Sequence, residues 1–187
     1  MSIFSSNKLK GKRIAIVATD GFEQVELTEP QKYLKGEGAE VDVISLKAGS
    51  IKGWDETDWG DKVDVDKVIG DVHVSQYDAL VLPGGQINPD KLRLEPKVVS
   101  FVRDFVQSGK VVAAICHGPW TLIEADQVRG KHMTSWPSLK TDLRNAGAQW
   151  QDSEVVVDGN LITSRKPEDL DAFNKKIEEK LLAGSAS

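Results

Sequence analysis

Short unbroken apolar runs alternate along this chain with longer stretches in which apolar residues return every three or four positions. The run Arg13-Ile14-Ala15-Ile16-Val17-Ala18-Thr19 predicts a strand buried on both faces and closed by Asp20-Gly21. Val41 to Ser45, Ala79 to Leu82 and Val111 to Ile115 repeat the pattern, the last two stopping at Pro83-Gly84-Gly85 and Cys116-His117-Gly118. Helical spacing predicts a helix over Gln24 to Lys35, with Glu23 and Glu26 at its positive end and Pro30 in its early turns or at a bend. It predicts another over Glu95 to Gln107, where Val98, Val102 and Phe105 share a face and Gly109 follows as a stop. Pro119 suits the first position of a helix running from Trp120 to Ala125. A further helix is expected near Leu139 to Asn145, strands over Glu154 to Asp158 and Leu161 to Ser164, and a closing helix with Leu170, Phe173, Ile177 and Leu181 on one face. Between Leu46 and Tyr77 the pattern weakens, and glycines with a short alternation at Lys62 to Asp66 read as hairpin-like excursions and loops.

Buried strands separated by amphipathic helices imply an α/β fold with a mostly parallel sheet covered on both faces, whose ligand site lies beyond the C-terminal strand ends. Three such ends carry suggestive residues: Asp20 to Glu23, Pro83 to Gly85 and Cys116 to Gly118. A length of 187 residues suits one domain. We expect it over 13–182, with residues 1–12 an N-terminal extension and 183–187 a disordered tail.

Charge and composition narrow the function. A net charge of −5 offers no broad positive field for a nucleic acid as main partner or for an anionic membrane surface. Neither a signal-like segment nor a bilayer-length apolar run is read in the chain, and a single cysteine permits no internal disulfide, so a reducing cytoplasm is the expected setting.

That cysteine, Cys116, stands between a predicted strand and a predicted helix, a sharp turn that projects a side chain into the mouth of the sheet. The positive end of the following helix favours thiolate, and such placement can bring a thiol from about 8.5 down to roughly 3.5 to 7.5. Most free cysteines merely fill space, but the following His-Gly-Pro and the Pro-Gly-Gly turn on another strand favour a nucleophile. His73 and His132 have no metal-ligand spacing with Cys116, so neither a metal site nor a cofactor is expected.

At Phe22-Glu23-Gln24-Val25-Glu26-Leu27, Asp78 to Gly85, Ala114-Ile115-Cys116-His117-Gly118-Pro119, Thr134-Ser135-Trp136-Pro137-Ser138 and Val155 to Asn160, the chain resembles the PfpI (intracellular protease I) family, in the superfamily of the parkinsonism-associated protein deglycase. The resemblance implies a flavodoxin-like sandwich of the class I glutamine amidotransferase-like type. It implies Cys116 as nucleophile, Glu23 as the acid that hydrogen-bonds its sulfur, His117 as the adjacent histidine, and the N–H groups of Gly85 and His117 as an oxyanion site. Asp90, where the family carries Glu, matches the acid that orients this histidine from a neighbouring subunit, which implies a homodimer or larger homo-oligomer. Trp120 and Trp136 flank the motif loops and are expected to wall a small pocket.

Three functions are compatible with these readings. A stress-response enzyme would clear reactive carbonyls or glycated groups by thiolate attack. A cysteine peptidase would attack an amide and protonate the leaving amine from His117. A non-enzymatic oxidative-stress sensor or chaperone would use Cys116 as the oxidised group.

Overall fold

A computed structural model describes residues 6–184. Strand β1 (Arg13–Val17) leads to helix α1 (Gln24–Gly36) and strand β2 (Glu40–Ser45); an antiparallel hairpin, β3 (Gly49–Asp55) and β4 (Asp58–Val65), precedes the short edge strand β5 (Lys67–Val68). Strand β6 (Ala79–Leu82) is followed by helices α2 (Ile87–Leu92) and α3 (Pro96–Gln107), then by β7 (Val111–Ile115) and α4 (Pro119–Glu124). The rest comprises β8 (His132–Met133), α5 (Lys140–Asn145), β9 (Gln149–Trp150), β10 (Val156–Asp158), β11 (Leu161–Ser164) and α6 (Leu170–Gly184).

Seven strands form the main sheet in the order β10-β11-β7-β6-β1-β2-β5, every neighbouring pair parallel except β10 with β11. Successive residues of the central strands feed opposite layers, as the pleat requires. Ala15, Val17, Leu80, Leu82, Val112 and Ala114 pack with Val98, Val102 and Phe105 of α3. Ile14, Ile16, Ala79, Val81, Ala113 and Ile115 pack with Leu27 and Leu34 of α1 and with Phe173 and Ile177 of α6. This two-sided burial is why the strands read as unbroken apolar runs.

The chain leaves β1 toward β2 on one side and returns to β6 on the other, so the sheet has its topological switch point beside β1, where a crevice opens at the C-terminal strand ends. Buried Asn88 of α2 staples that crevice. Its Oδ1 accepts the Thr19 N–H at 2.8 Å, and its amide donates to the carbonyls of Pro83 and Gly84 at 3.1 Å each. The hairpin is tied to the same end, for the Gly21 N–H donates to Lys52 O and the Trp54 N–H to Phe22 O.

Two expected boundaries shift. Leu9 is fully buried and its N–H bonds Glu37 O at 2.8 Å, so part of the expected extension packs on the fold. Ala183 and Gly184 continue α6, while 185–187 lie outside the described residues. Helix α2 has no counterpart in the sequence reading, because six residues containing Pro89 carry no periodic signal.

Candidate active site

Cys116 occupies the turn from β7 to α4 with φ +61, a left-handed conformation that costs a side-chain-bearing residue roughly 1–2 kcal/mol. The turn is tight because Gly118 lies against β6: a side chain there would collide with the Leu82 and Ile115 carbonyls. Cys116 is pinned on both sides, its N–H donating to Ser164 O and its carbonyl accepting the Trp136 N–H, each at 3.0 Å. The sulfur is nearly buried, with 7% of the residue exposed, and receives the backbone N–H groups of Gly85 and His117.

The sequence reading placed Glu23 on this sulfur, and the structure places Glu26 there instead. Glu23 is the residue before α1, in extended conformation, and its Oε1 accepts the Glu56 N–H at 3.2 Å out at the cavity wall. Glu26, one turn into the helix, is fully buried. Its Oε1 accepts the Gly84 N–H at 2.9 Å, its Oε2 meets no nitrogen or oxygen donor, and its carboxyl interacts with the Cys116 thiol. Burial pushes the Glu26 carboxyl up to about 8, against the lowering pull of the Gly84 N–H.

The expected depression of the thiol is also reversed. Burial, and then the charge of a Glu26 carboxylate, push the Cys116 thiol up, although the Gly85 and His117 N–H groups pull it down. These two groups are one coupled unit. When Glu26 holds its proton, the opposing charge beside the sulfur disappears, and the two N–H donors then work chiefly against burial. Glu23 is raised by burial too, then by Asp55 and Glu56, with the Glu56 N–H opposing them.

Adjacent residues ordinarily point apart, but the positive φ of Cys116 swings His117 back, and its Nδ1 lies 3.2 Å from the Cys116 sulfur. Burial lowers the imidazole pKa, keeping the ring neutral and able to accept a proton at neutral pH. Trp136 stacks on the ring at 6.2 Å and Trp120 meets it edge-on at 5.1 Å. Of these two, Trp136 lines the cavity and Trp120, expected as a wall, does not; Trp120 braces His117 edge-on, with its Nε1 donating to Asp142 at 3.0 Å. Asp90 is exposed on α2 and is not among the lining residues, and among the described residues no hydrogen bond or ion pair joins it to His117.

The cavity over Cys116 measures about 430 Å³ and is lined by Glu23, Glu26, Trp54, Glu56, Gly85, Gln86, Cys116, His117, Trp136, Pro167 and Glu168. A depression of about 440 Å³ near Lys12, Lys110 and Asn160 is lined by no cysteine, serine or threonine. Among the described residues, no group of three or more His, Cys, Asp or Glu is arranged to hold a metal ion.

The chain has relatives in both sequence and fold. Residues 12–180 match the DJ-1/PfpI family. The chain belongs to that family. Among its DJ-1/PfpI relatives, the Protein/nucleic acid deglycase 2 of Escherichia coli (strain K12) is 47% identical over 167 residues, spanning 88% of this chain and 95% of the relative. YraA of Bacillus subtilis (strain 168), whose name proposes a cysteine protease, is 46% identical over 166 residues, with 88% and 95% covered. A solved two-domain protein of Anabaena variabilis, with DJ-1/ThiJ/PfpI-like and ferritin-like domains, superposes with a TM-score of 0.86 at 40% identity over 91% of this chain. The chain spans about half the length of that protein, 48%. Relatives carrying deglycase and protease names fit the expectation of a cysteine-dependent hydrolase.

Sequence reasoning left six lining residues of this DJ-1/PfpI site unassigned: Glu26, Trp54, Glu56, Gln86, Pro167 and Glu168. Glu26 was legible in principle: it shares an inward stripe with Pro30 and Leu34 at four-residue spacing, an unusual place for an acid. Trp54, Glu56 and Glu168 arrive from a hairpin and a turn remote in sequence, and no local pattern marks them.

Proposed function

We propose that this protein is a cofactor-free hydrolase that uses Cys116 to dismantle adducts of 2-oxoaldehydes on amines or thiols, acting in a reducing cytoplasm. The observation that carries this reading is the sulfur held between two backbone N–H donors, beside a carboxyl that burial keeps neutral and a neutral imidazole 3.2 Å away.

The adduct first collapses to its aldehyde, the departing amine or thiol keeping the hydroxyl proton. His117 Nδ1 takes the thiol proton as sulfur attacks the aldehyde carbon. A C–S bond forms, the C=O π bond opens, and the oxygen, held by the Gly85 and His117 N–H groups, recovers that proton. Neutral Glu26 sets no second anion beside the charged sulfur. His117 next moves the proton of the sulfur-bearing carbon to the neighbouring ketone carbon, and the hydroxyl proton passes from the first oxygen to the former ketone oxygen. The first carbon is thereby oxidised to a thioester while the second is reduced to an alcohol, with no outside oxidant. Water then adds, the C–S bond breaks, sulfur recovers its proton, and a 2-hydroxy acid departs.

Incubating the purified protein with the methylglyoxal hemithioacetal of N-acetylcysteine should release lactate, and Cys116→Ser should lower the rate by at least roughly a thousandfold. Full activity in that variant would overturn the reading. A peptide panel run in parallel separates the peptidase alternative, and selective oxygen addition to Cys116 without turnover would point to the sensor.

A further inference from the structure

The cavity over Cys116 has an unusual electrical composition. Four carboxyl groups line it, Glu23, Glu26, Glu56 and Glu168, and no lysine or arginine does. They converge from separate segments: the start of α1, the tip of the β3–β4 hairpin, and the 3-10 turn Pro167–Asp169. Their positions are built. The Trp54 Nε1 donates to Glu56 O at 2.9 Å, the Glu56 N–H donates to Glu23 Oε1 at 3.2 Å, and Arg165 clamps Asp169 beside Glu168 through Nε and Nη2 at 3.0 Å each. The guanidinium of Arg165 is already engaged by Asp169 and Asp152, so it does not neutralise the rim. Two indoles, Trp54 and Trp136, share the cavity with these acids. Glu26, buried and lining the same cavity, leaves its Oε2 without a nitrogen or oxygen partner.

We propose that this cavity selects adducts carrying an ammonium or guanidinium group near the reacting carbon, with Glu56 and Glu168 supplying the charge and Trp54 and Trp136 the aromatic faces. The inference names the substrate class of the proposed carbonyl hydrolase and rests on that reading for its catalytic meaning. A cation leaving water gains from the carboxylates of Glu56 and Glu168 and from the negative faces of the indoles together, whereas an anionic group placed beside those two acids is repelled by them. The field also gathers cations before contact, since clefts lined by one sign of charge raise the local concentration of the opposite sign. The Glu23 carboxyl is raised chiefly by burial, with Asp55 and Glu56 adding smaller like-charge contributions against the lowering pull of the Glu56 N–H.

The test uses Cys116, the sole cysteine of the chain, as its own reporter. Methanethiosulfonates bearing a trimethylammonium, a neutral methyl or a sulfonate group react by the same step: the sulfur displaces methanesulfinate and forms a mixed disulfide, read by intact mass. Rates are divided by those of 2-mercaptoethanol with the same reagents. We expect the cationic reagent to lead the anionic one by about tenfold or more after this correction, and the E56Q/E168Q double variant to shrink that ratio at least threefold. Equal corrected rates for the three reagents, or a ratio unchanged in the double variant, would overturn the proposal. In a second arm, methylglyoxal hemithioacetals of thiocholine, 2-mercaptoethanol and 2-mercaptoethanesulfonate are offered as substrates, and kcat/KM should fall in that order. Charge-selective modification without turnover of any adduct sinks the hydrolase reading and leaves the selective cavity standing. Turnover without charge preference does the reverse.

Discussion

The carboxyl of Glu26 is the residue whose protonation links stability to chemistry. In the unfolded chain it titrates near 4.5, and in the folded protein burial raises it to about 8. The fold therefore binds a proton that the unfolded chain has released, so this group's contribution is complete below pH 4.5 and is lost as pH rises through 8. The whole effect is at most roughly 5 kcal/mol. Urea unfolding of the wild type should show stability falling from pH 5 to 8.5 relative to Glu26→Gln, which has no proton to lose there. Parallel pH profiles for the two proteins would show that Glu26 is charged in the fold and that the sulfur faces an anion. Activity should follow a different course in E26Q, because the amide keeps the neutral neighbour but cannot reproduce the carboxyl's coupling to the thiol.

At the scale of elements, the site depends on loops that rigid neighbours hold in place. The Pro167–Asp169 turn brings Pro167 and Glu168 to the cavity, and what fixes it is Asp169, 2% exposed, accepting the Arg165 N–H, Nε and Nη2 at 3.0 Å each. Removing Asp169 leaves Arg165 with Asp152 and takes the acceptor from the Arg165 N–H, so Asp169→Ala should cost about 2 kcal/mol in unfolding free energy and raise KM by loosening the Pro167–Glu168 wall. A loss below roughly 1 kcal/mol would mean that the clamp acts as an exposed pair. What the sequence disclosed follows the same division. The central strands and the amphipathic helices α3 and α6 were legible because burial on both faces or on one stripe writes itself as a period. Cys116 and Gly85 were legible because strand ends and glycine turns are local. The choice between Glu23 and Glu26 was not, since two acids three residues apart at a helix start differ only in whether the helix has begun. Residues delivered by the hairpin and by the turn after β11 depend on tertiary placement that no local spacing encodes.

For the whole molecule, the question is whether one chain carries a finished site. The crossover from β1 to β2 and back to β6 opens the crevice. Cys116, His117, Glu26 and Gly85 meet the lining residues Trp54, Glu56, Trp136, Pro167 and Glu168 within one chain. The resemblance to PfpI peptidases implied a further acid, Asp90, reaching His117 across a subunit boundary, and Asp90 does stand exposed on α2 with no part in its own chain's cavity. Carbonyl chemistry has no need of that acid. Trp136 stacked on His117 and Trp120 against its edge fix the ring, and the neutral imidazole already has the sulfur as its partner. Amide cleavage does need it, because an imidazolium that must protonate a leaving amine gains from a carboxylate that stabilises its charge. Lactate release per chain should therefore stay constant as the protein is diluted from micromolar to nanomolar concentration, through any dissociation of a homo-oligomer followed by mass photometry. If activity per chain instead falls in step with dissociation and returns on concentration, a group from a neighbouring subunit completes the site. Asp90→Asn would then have to reproduce that loss in the undiluted protein.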